Sequence, residues 1–198
     1  MLKYAQLIKR VLVYCTYTLW SLIVLSFFTP ALPWGTFGAL MGEIAIGMLV
    51  LVTLPGILKR FGATGSLQQV QLLLMAVRRQ TGDLMFTFAI AHAVWMRILL
   101  YIRFGIPALS SIPLFQIFGT IALLILFPLF LTSNNFSIRL LKKNWQKIHS
   151  LIYVAVWFAA LHTLFGEEGT FWGIVAVCIG VAQITSWIFV WRKKRLTI

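Results

Sequence analysis

The chain has 198 residues, of which 61% are hydrophobic and 11% charged, and its formal net charge is +13. A soluble domain keeps about a quarter of its residues charged to wet its surface, so this composition excludes an ordinary globular domain and predicts a membrane protein. The length suits one domain, residues 1–198, because six spans of about 20 residues each leave little for anything else.

A basic start with Lys3, Lys9 and Arg10 precedes the first apolar stretch, residues 11–29. It is long, rich in aromatics and without a small-residue cleavage site, which predicts a retained helix and not a signal peptide. Pro30, Pro33 and Gly35 form a turn. The second span covers residues 37–58 and ends on Lys59 and Arg60. Residues 66–79, SLQQVQLLLMAVRR, alternate between apolar and polar and predict an interfacial helix along the inner surface. A third span covers residues 82–102, closed by Arg103, Gly105 and Pro107. The fourth covers residues 113–132, with Pro128 expected to kink it. After the polar loop SNNFSIRLLKKNWQK, the fifth span covers residues 148–165. GEEGT turns the chain into the sixth, residues 171–191, and the sequence ends in RKKRLTI.

With the N-terminus inside, 15 of the 17 lysines and arginines fall on inner segments, and only Arg97 and Arg103 lie outside. That bias predicts cytoplasmic N- and C-termini. The positive charge is thus a topology signal, and no nucleic-acid partner is expected. Trp145, Trp172 and Trp191 sit at span ends, as interfacial anchors do. Cys15 and Cys178 fall at different depths, which argues against a disulfide, and they read as buried apolar fillers.

The chain has three histidines, all in or at the mouths of spans 3 and 5. An ionisable group at membrane depth costs a few kcal/mol unless something rewards it. His92 (FAIAHAVWMR) and His162 (FAALHTLF) reach similar depth in the outer half of two helices running in the same direction. Two neutral imidazoles at one depth suit a bis-His b-type haem, whose flat ring fills the space between helices. The alternative is a pair of structural histidines hydrogen-bonded to neighbouring helices. No Cys/His cluster is spaced for zinc. His149 lies 13 residues before His162, about 20 Å along a straight helix. A partner on span 3 would fall at Arg78 or Arg79, poor iron ligands but good partners for haem propionates. His149 could therefore serve a second haem, a quinone or a flavin, or simply bond to headgroups.

RRQTGDLMFTFAIAH resembles the third-helix motif of ferric-reductase-like transmembrane domains, and LTSNNFSIRLLKKNWQKIHSLIYVAVWFAALH resembles that superfamily's loop and fifth helix. GEIAIGMLVLVTLP is similar to its glycine-led second helix. The most specific piece runs from Trp145 to His162. Members with two haems carry two histidines on each of helices 3 and 5; this chain has Arg78 where one is expected, and no G-x-G-x-x-G dinucleotide-binding domain. Those departures are similar to the bacterial haem subunits of periplasmic methionine sulfoxide reductase systems.

The resemblance implies an all-α integral membrane protein, a six-transmembrane-helix bundle with N- and C-termini inside and haem between helices 3 and 5. It implies haem b, one or two copies, with FMN or a quinone as a further group. His92 and His162 match the outer haem ligands, His149 the inner histidine and Gly82 a packing glycine. The electron donor would be a quinone or a flavin reductase, and the acceptor a periplasmic molybdoprotein reductase. The location would be the bacterial inner membrane, with membrane lipid around the spans.

Arg97 is placed to meet outer haem propionates or to snorkel to headgroups. Glu43 and Asp83 could relay a proton or pair with an arginine. Glu167 and Glu168 could face a periplasmic partner, and the basic loop 139–147 a flavoprotein. Two other functions stay open on sequence alone: a stand-alone transmembrane reductase of ferric or other metal ions, and a transporter or scaffold with structural histidines. No catalytic residue is expected, because an electron-transfer subunit makes no bonds of its own.

Overall fold

A computed structural model describes residues 2–30, 32–166 and 170–196. The described elements are all helical: α1 (Leu2–Phe28), α2 (Trp34–Phe61), α3 (Gly65–Ala93), a π-turn (Val94–Ile98), α4 (Leu99–Phe104), a 3-10 turn (Leu109–Ser111), α5 (Leu114–Leu131), α6 (Asn135–Leu141), α7 (Lys143–His149), α8 (Ile152–Phe165) and α9 (Thr170–Leu196). Among the described residues, six helical stretches are long and apolar enough to cross a membrane: Tyr4–Phe28, Trp34–Phe61, Gly65–Phe104, Leu114–Leu131, Lys143–Phe165 and Phe171–Arg195. The protein is a six-helix membrane bundle, as composition requires. Glu167 and Glu168, expected in the outer turn, lie outside the described residues.

Lipid offers no hydrogen bonds, so backbone groups pair within each helix and buried hydroxyls bond to nearby carbonyls. Thr87 Oγ1 donates to Asp83 O at 2.8 Å, Thr53 Oγ1 to Leu49 O at 2.9 Å and Ser26 Oγ to Ile23 O at 2.7 Å. Large apolar side chains point outward, among them Leu124 at 66% and Ile102 at 67% exposure. The interior is instead built around small residues: Ala155, Ala159 and Ala160 on α8 and Ala176 on α9 are buried beside Val156 and Phe86. Small side chains let helices approach closely where no hydrophobic effect drives them together. Cys15 and Cys178 are free, but both are exposed and not buried, because an apolar side chain here can face lipid as readily as core.

α2 packs on α3 and α9, α8 on α5 and α9, and α1 on α3. A second, smaller core joins Leu19 and Ile23 of α1 to Ala91, Val94 and Trp95. There Trp95 Nε1 donates to the buried Ser26 Oγ at 3.1 Å.

Two boundaries differ from the sequence reading. The expected interfacial helix 66–79 does not separate from the third span; α3 runs unbroken from Gly65 through Gly82. A lone glycine costs a helix only about 1 kcal/mol, and Val77 and Thr81 are buried on the face that continues into the span. The other difference lies ahead of α8, where Ser150 and Leu151 form a turn that separates it from α7. His149 therefore ends α7 and does not lie on one straight helix with His162. The α2–α3 turn is closed by a glycine: Gly62 takes a left-handed φ of 73°, and Ala63 N donates to Leu58 O at 3.0 Å.

Candidate cofactor site

His92 sits on α3 two residues before the π-turn, and His162 on α8 one turn from its end. Their ring centres are 5.8 Å apart, with the planes 76° from parallel. Each ring is held in the same way. His92 Nδ1 lies 2.8 Å from the carbonyl oxygen of Gly38, and His162 Nδ1 lies 2.7 Å from that of Phe115. A carbonyl can only accept, so each Nδ1 carries the proton and donates it. In a neutral imidazole this leaves the Nε2 lone pair free, the tautomer that a metal-binding histidine needs.

The rings reach those carbonyls because glycine stands one helical turn further along each neighbouring helix. A Cβ on Gly42 would lie 2.7 Å from His92 Nδ1, and one on Gly119 would lie 2.7 Å from His162 Nδ1. Neither position can hold a side chain without moving the imidazole. Gly82, expected to be the packing glycine, meets no atom within 4 Å of a built Cβ, so no packed neighbour requires it. The sequence signal for Gly42 is visible as the first residue of GEIAIG; nothing in the sequence marks Gly119 or the two carbonyls.

Arg97 extends the rim of this site. Its guanidinium lies 5.9 Å from the Phe115 ring centre. With the Gln116 carboxamide oxygen turned toward it, Arg97 Nε and Nη2 both donate at 2.9 Å, and Gln116 Nε2 donates to Tyr101 Oη at 3.1 Å. The π-turn that contains Arg97 is a feature often found beside functional groups, because it re-aims side chains that a regular helix would turn away.

At the opposite end of the bundle, His149 stacks on Trp145 at 4.0 Å, and its Nε2 lies 3.0 Å from Thr132 Oγ1. Trp145 Nε1 donates to Thr132 O at 2.9 Å, so this tryptophan packs the site as well as marking a span end. Arg78 lies in electrostatic range of His149, Tyr153 and Arg60. Arg79 turns away and donates to Asn135 Oδ1 at 3.0 Å. Glu43 is exposed on α2, while Asp83 has one carboxylate oxygen buried without a partner and Arg79 as its neighbouring charge.

From the sequence, Arg60 is only a topology charge. In the structure its Nε donates to Ser186 Oγ at 2.7 Å and its Nη1 to Tyr153 Oη at 3.1 Å, so it joins α2 to α8 and α9. No sequence feature distinguishes it from Lys59 beside it.

Among the described residues, no group of three or more His, Cys, Asp or Glu side chains is placed to hold a metal ion. A metal held by His92 and His162 would need its remaining ligands from a cofactor, as a haem would supply them.

A membrane bundle with paired histidines at one level is the design of a ferric-reductase-type domain. The chain belongs to the family described as ferric reductase like transmembrane component, whose model matches residues 41–160, a stretch that includes His92 and His149 and ends two residues before His162. It is also 32% identical over 166 residues to the protein-methionine-sulfoxide reductase heme-binding subunit MsrQ of Brucella melitensis, an alignment covering 82% of this chain and 70% of that one. The MsrQ proteins of Brucella ovis and Brucella abortus match with the same identity and coverage. No solved structure matches the chain.

Proposed function

We propose that this protein is the haem-bearing membrane subunit of a methionine sulfoxide reductase system and relays electrons across the bacterial inner membrane. The observation that carries the reading is the facing pair His92 and His162, each with Nδ1 bound to a carbonyl and Nε2 left to coordinate. Their ring centres, 5.8 Å apart, would let both Nε2 atoms bind one haem iron. The MsrQ relatives are named heme-binding subunits of that reductase, which supports the same cofactor for this chain.

His92 and His162 would hold one haem b, whose iron takes up and gives up single electrons. Arg97 would meet a propionate at the outer rim. At the other end, His149 with Arg78 would anchor a second haem or FMN, provided His149 exchanges its contact with Thr132. Electrons would enter on the cytoplasmic side from a quinol or a flavin reductase. They would leave to a periplasmic molybdenum-cofactor reductase. The chain would act as a single domain over residues 1–198, with both termini cytoplasmic.

The test is an absorption spectrum of the detergent-purified protein from haem-replete cells, oxidised and then reduced with dithionite. A Soret band with sharp reduced α and β bands is expected, and its loss in His92→Ala and in His162→Ala. A colourless wild type would sink the reading.

A further inference from the structure

Among the described residues, Gln80 and Asp83 each leave one buried side-chain oxygen without a partner, while Gln183 leaves both of its polar atoms so. Gln183 on α9 is 3% exposed, and both its Oε1 and its Nε2 are buried without a hydrogen-bond partner. By contrast, the fully buried hydroxyls among the described residues, those of Ser26, Thr53, Thr87 and Ser186, are all bonded. Buried polar groups are as a rule satisfied, so an amide orphaned at both ends points to a ligand.

Gln183 lines a cavity of about 420 Å³ between α8 and α9, walled by Tyr153, Trp157 and Trp187 and reached by Ser150. That size lies within the range of small-molecule sites. The aromatic walls are fixed in place. Tyr153 and Trp187 meet edge to face at 5.7 Å, and the guanidinium of Arg60 lies over both rings at 5.4 and 5.6 Å. Trp157 leans on Gly180, where a Cβ would come within 2.9 Å of its ring. The mouth is apolar: Ile184, Ile188 and Trp187 are all about half exposed on the outside of the bundle, the surface that faces lipid. The cavity opens on this apolar surface, with the exposed Ser150 at its end.

We infer that this cavity is a binding site for the ring of a lipid-soluble quinone, with the isoprenoid tail leaving past Ile184 and Ile188. The donor and acceptor of one carboxamide match both redox forms of that ligand. Gln183 Nε2 donates to a quinone carbonyl, and Gln183 Oε1 accepts from a quinol hydroxyl. A phospholipid phosphate could use only the donor and would leave Oε1 bare, and it gains nothing from flat aromatic walls. The site lies on the side of the bundle that carries His149 and Arg78, since Tyr153 contacts Arg60 and lies in the range of Arg78. This inference names the donor's seat within the relay proposed above and rests on that reading for its purpose, although binding can be measured without it.

The experiment is a titration of the full chain, purified in detergent, with decylubiquinone, read as quenching of indole fluorescence. The expected result is saturable binding that Gln183→Leu weakens at least tenfold. Ile188→Trp, a change on the lipid-facing mouth that leaves the interior untouched, should weaken it as well. The Soret band of each variant reports whether the His92–His162 end remains folded. Unsaturable quenching would overturn the site, as would equal affinity in wild type and both variants. So would a co-purified phospholipid, seen by native mass spectrometry, that decylubiquinone fails to displace and Gln183→Leu loses. A wild type that binds the quinone but lacks a Soret band would remove the haem reading and leave the quinone site standing.

Discussion

Glycines 42 and 119 do the same work on two different helices. Each removes the one Cβ that would keep an imidazole from reaching a backbone carbonyl, so the histidine tautomer is set by two residues without side chains. Ala at either position would place a carbon at 2.7 Å from Nδ1, closer than real contacts allow, and the ring must tilt and lose its bond. Gly42→Ala and Gly119→Ala should therefore weaken haem retention by about 10- to 100-fold, the usual cost of losing a partner that orients a metal-binding histidine. The measurement is haem per protein after extended washing, with Gly82→Ala as the comparison. At Gly82 a Cβ meets nothing, so that variant should keep its haem and lose no stability. If all three glycine variants retain haem equally, carbonyl contacts do not orient the rings.

Between elements, the polar tie is Arg60, which reaches from the last turn of α2 to Tyr153 on α8 and Ser186 on α9. Polar contacts between membrane helices are individually modest. Two hydrogen bonds together with the contacts to Tyr153 and Trp187 should nevertheless make Arg60→Met cost about 1–3 kcal/mol. Arg60→Lys keeps the charge but not the planar fork, and should recover less than half of that loss. Unfolding in a detergent titration would measure both, and an unchanged midpoint in Arg60→Met would show that the tie holds nothing. This arginine also marks the limit of the sequence reading. The spans were legible because lipid demands long apolar runs, and His92 and His162 because an imidazole at membrane depth needs a reason. Arg60 was not, since a cation at a span end looks the same whether it faces water or turns inward. The carbonyls of Gly38 and Phe115 were hidden for a plainer reason: a backbone acceptor is the same at every residue. The continuity of α3 through Gly82 is hidden because alternating polarity also fits an interfacial helix, whereas Val77 and Thr81 on one face of it are buried.

At the scale of the whole molecule, the distribution of charge sets a direction. Of the 17 lysines and arginines, 15 fall on segments that share one end of the bundle, with Arg97 and Arg103 at the other. Such a bias holds basic segments in the cytoplasm during insertion. The stretch after α4, residues 105–113, and the end of α9 should then lie on opposite sides. A fluorescent protein fused after Ile198 should fluoresce, because it folds in the cytoplasm, while alkaline phosphatase inserted within residues 105–111 should be active, because it needs the periplasm. The reverse pair of results would turn the molecule over. His92 and His162 would then sit near the cytoplasmic face and the Gln183 cavity near the outer one. The proposed haem ligation by the two histidines would stand in that event, since it does not depend on which end of the bundle is cytoplasmic, but electron flow toward a periplasmic acceptor would have to start at the other end. Orientation therefore tests the direction of the relay separately from its chemistry.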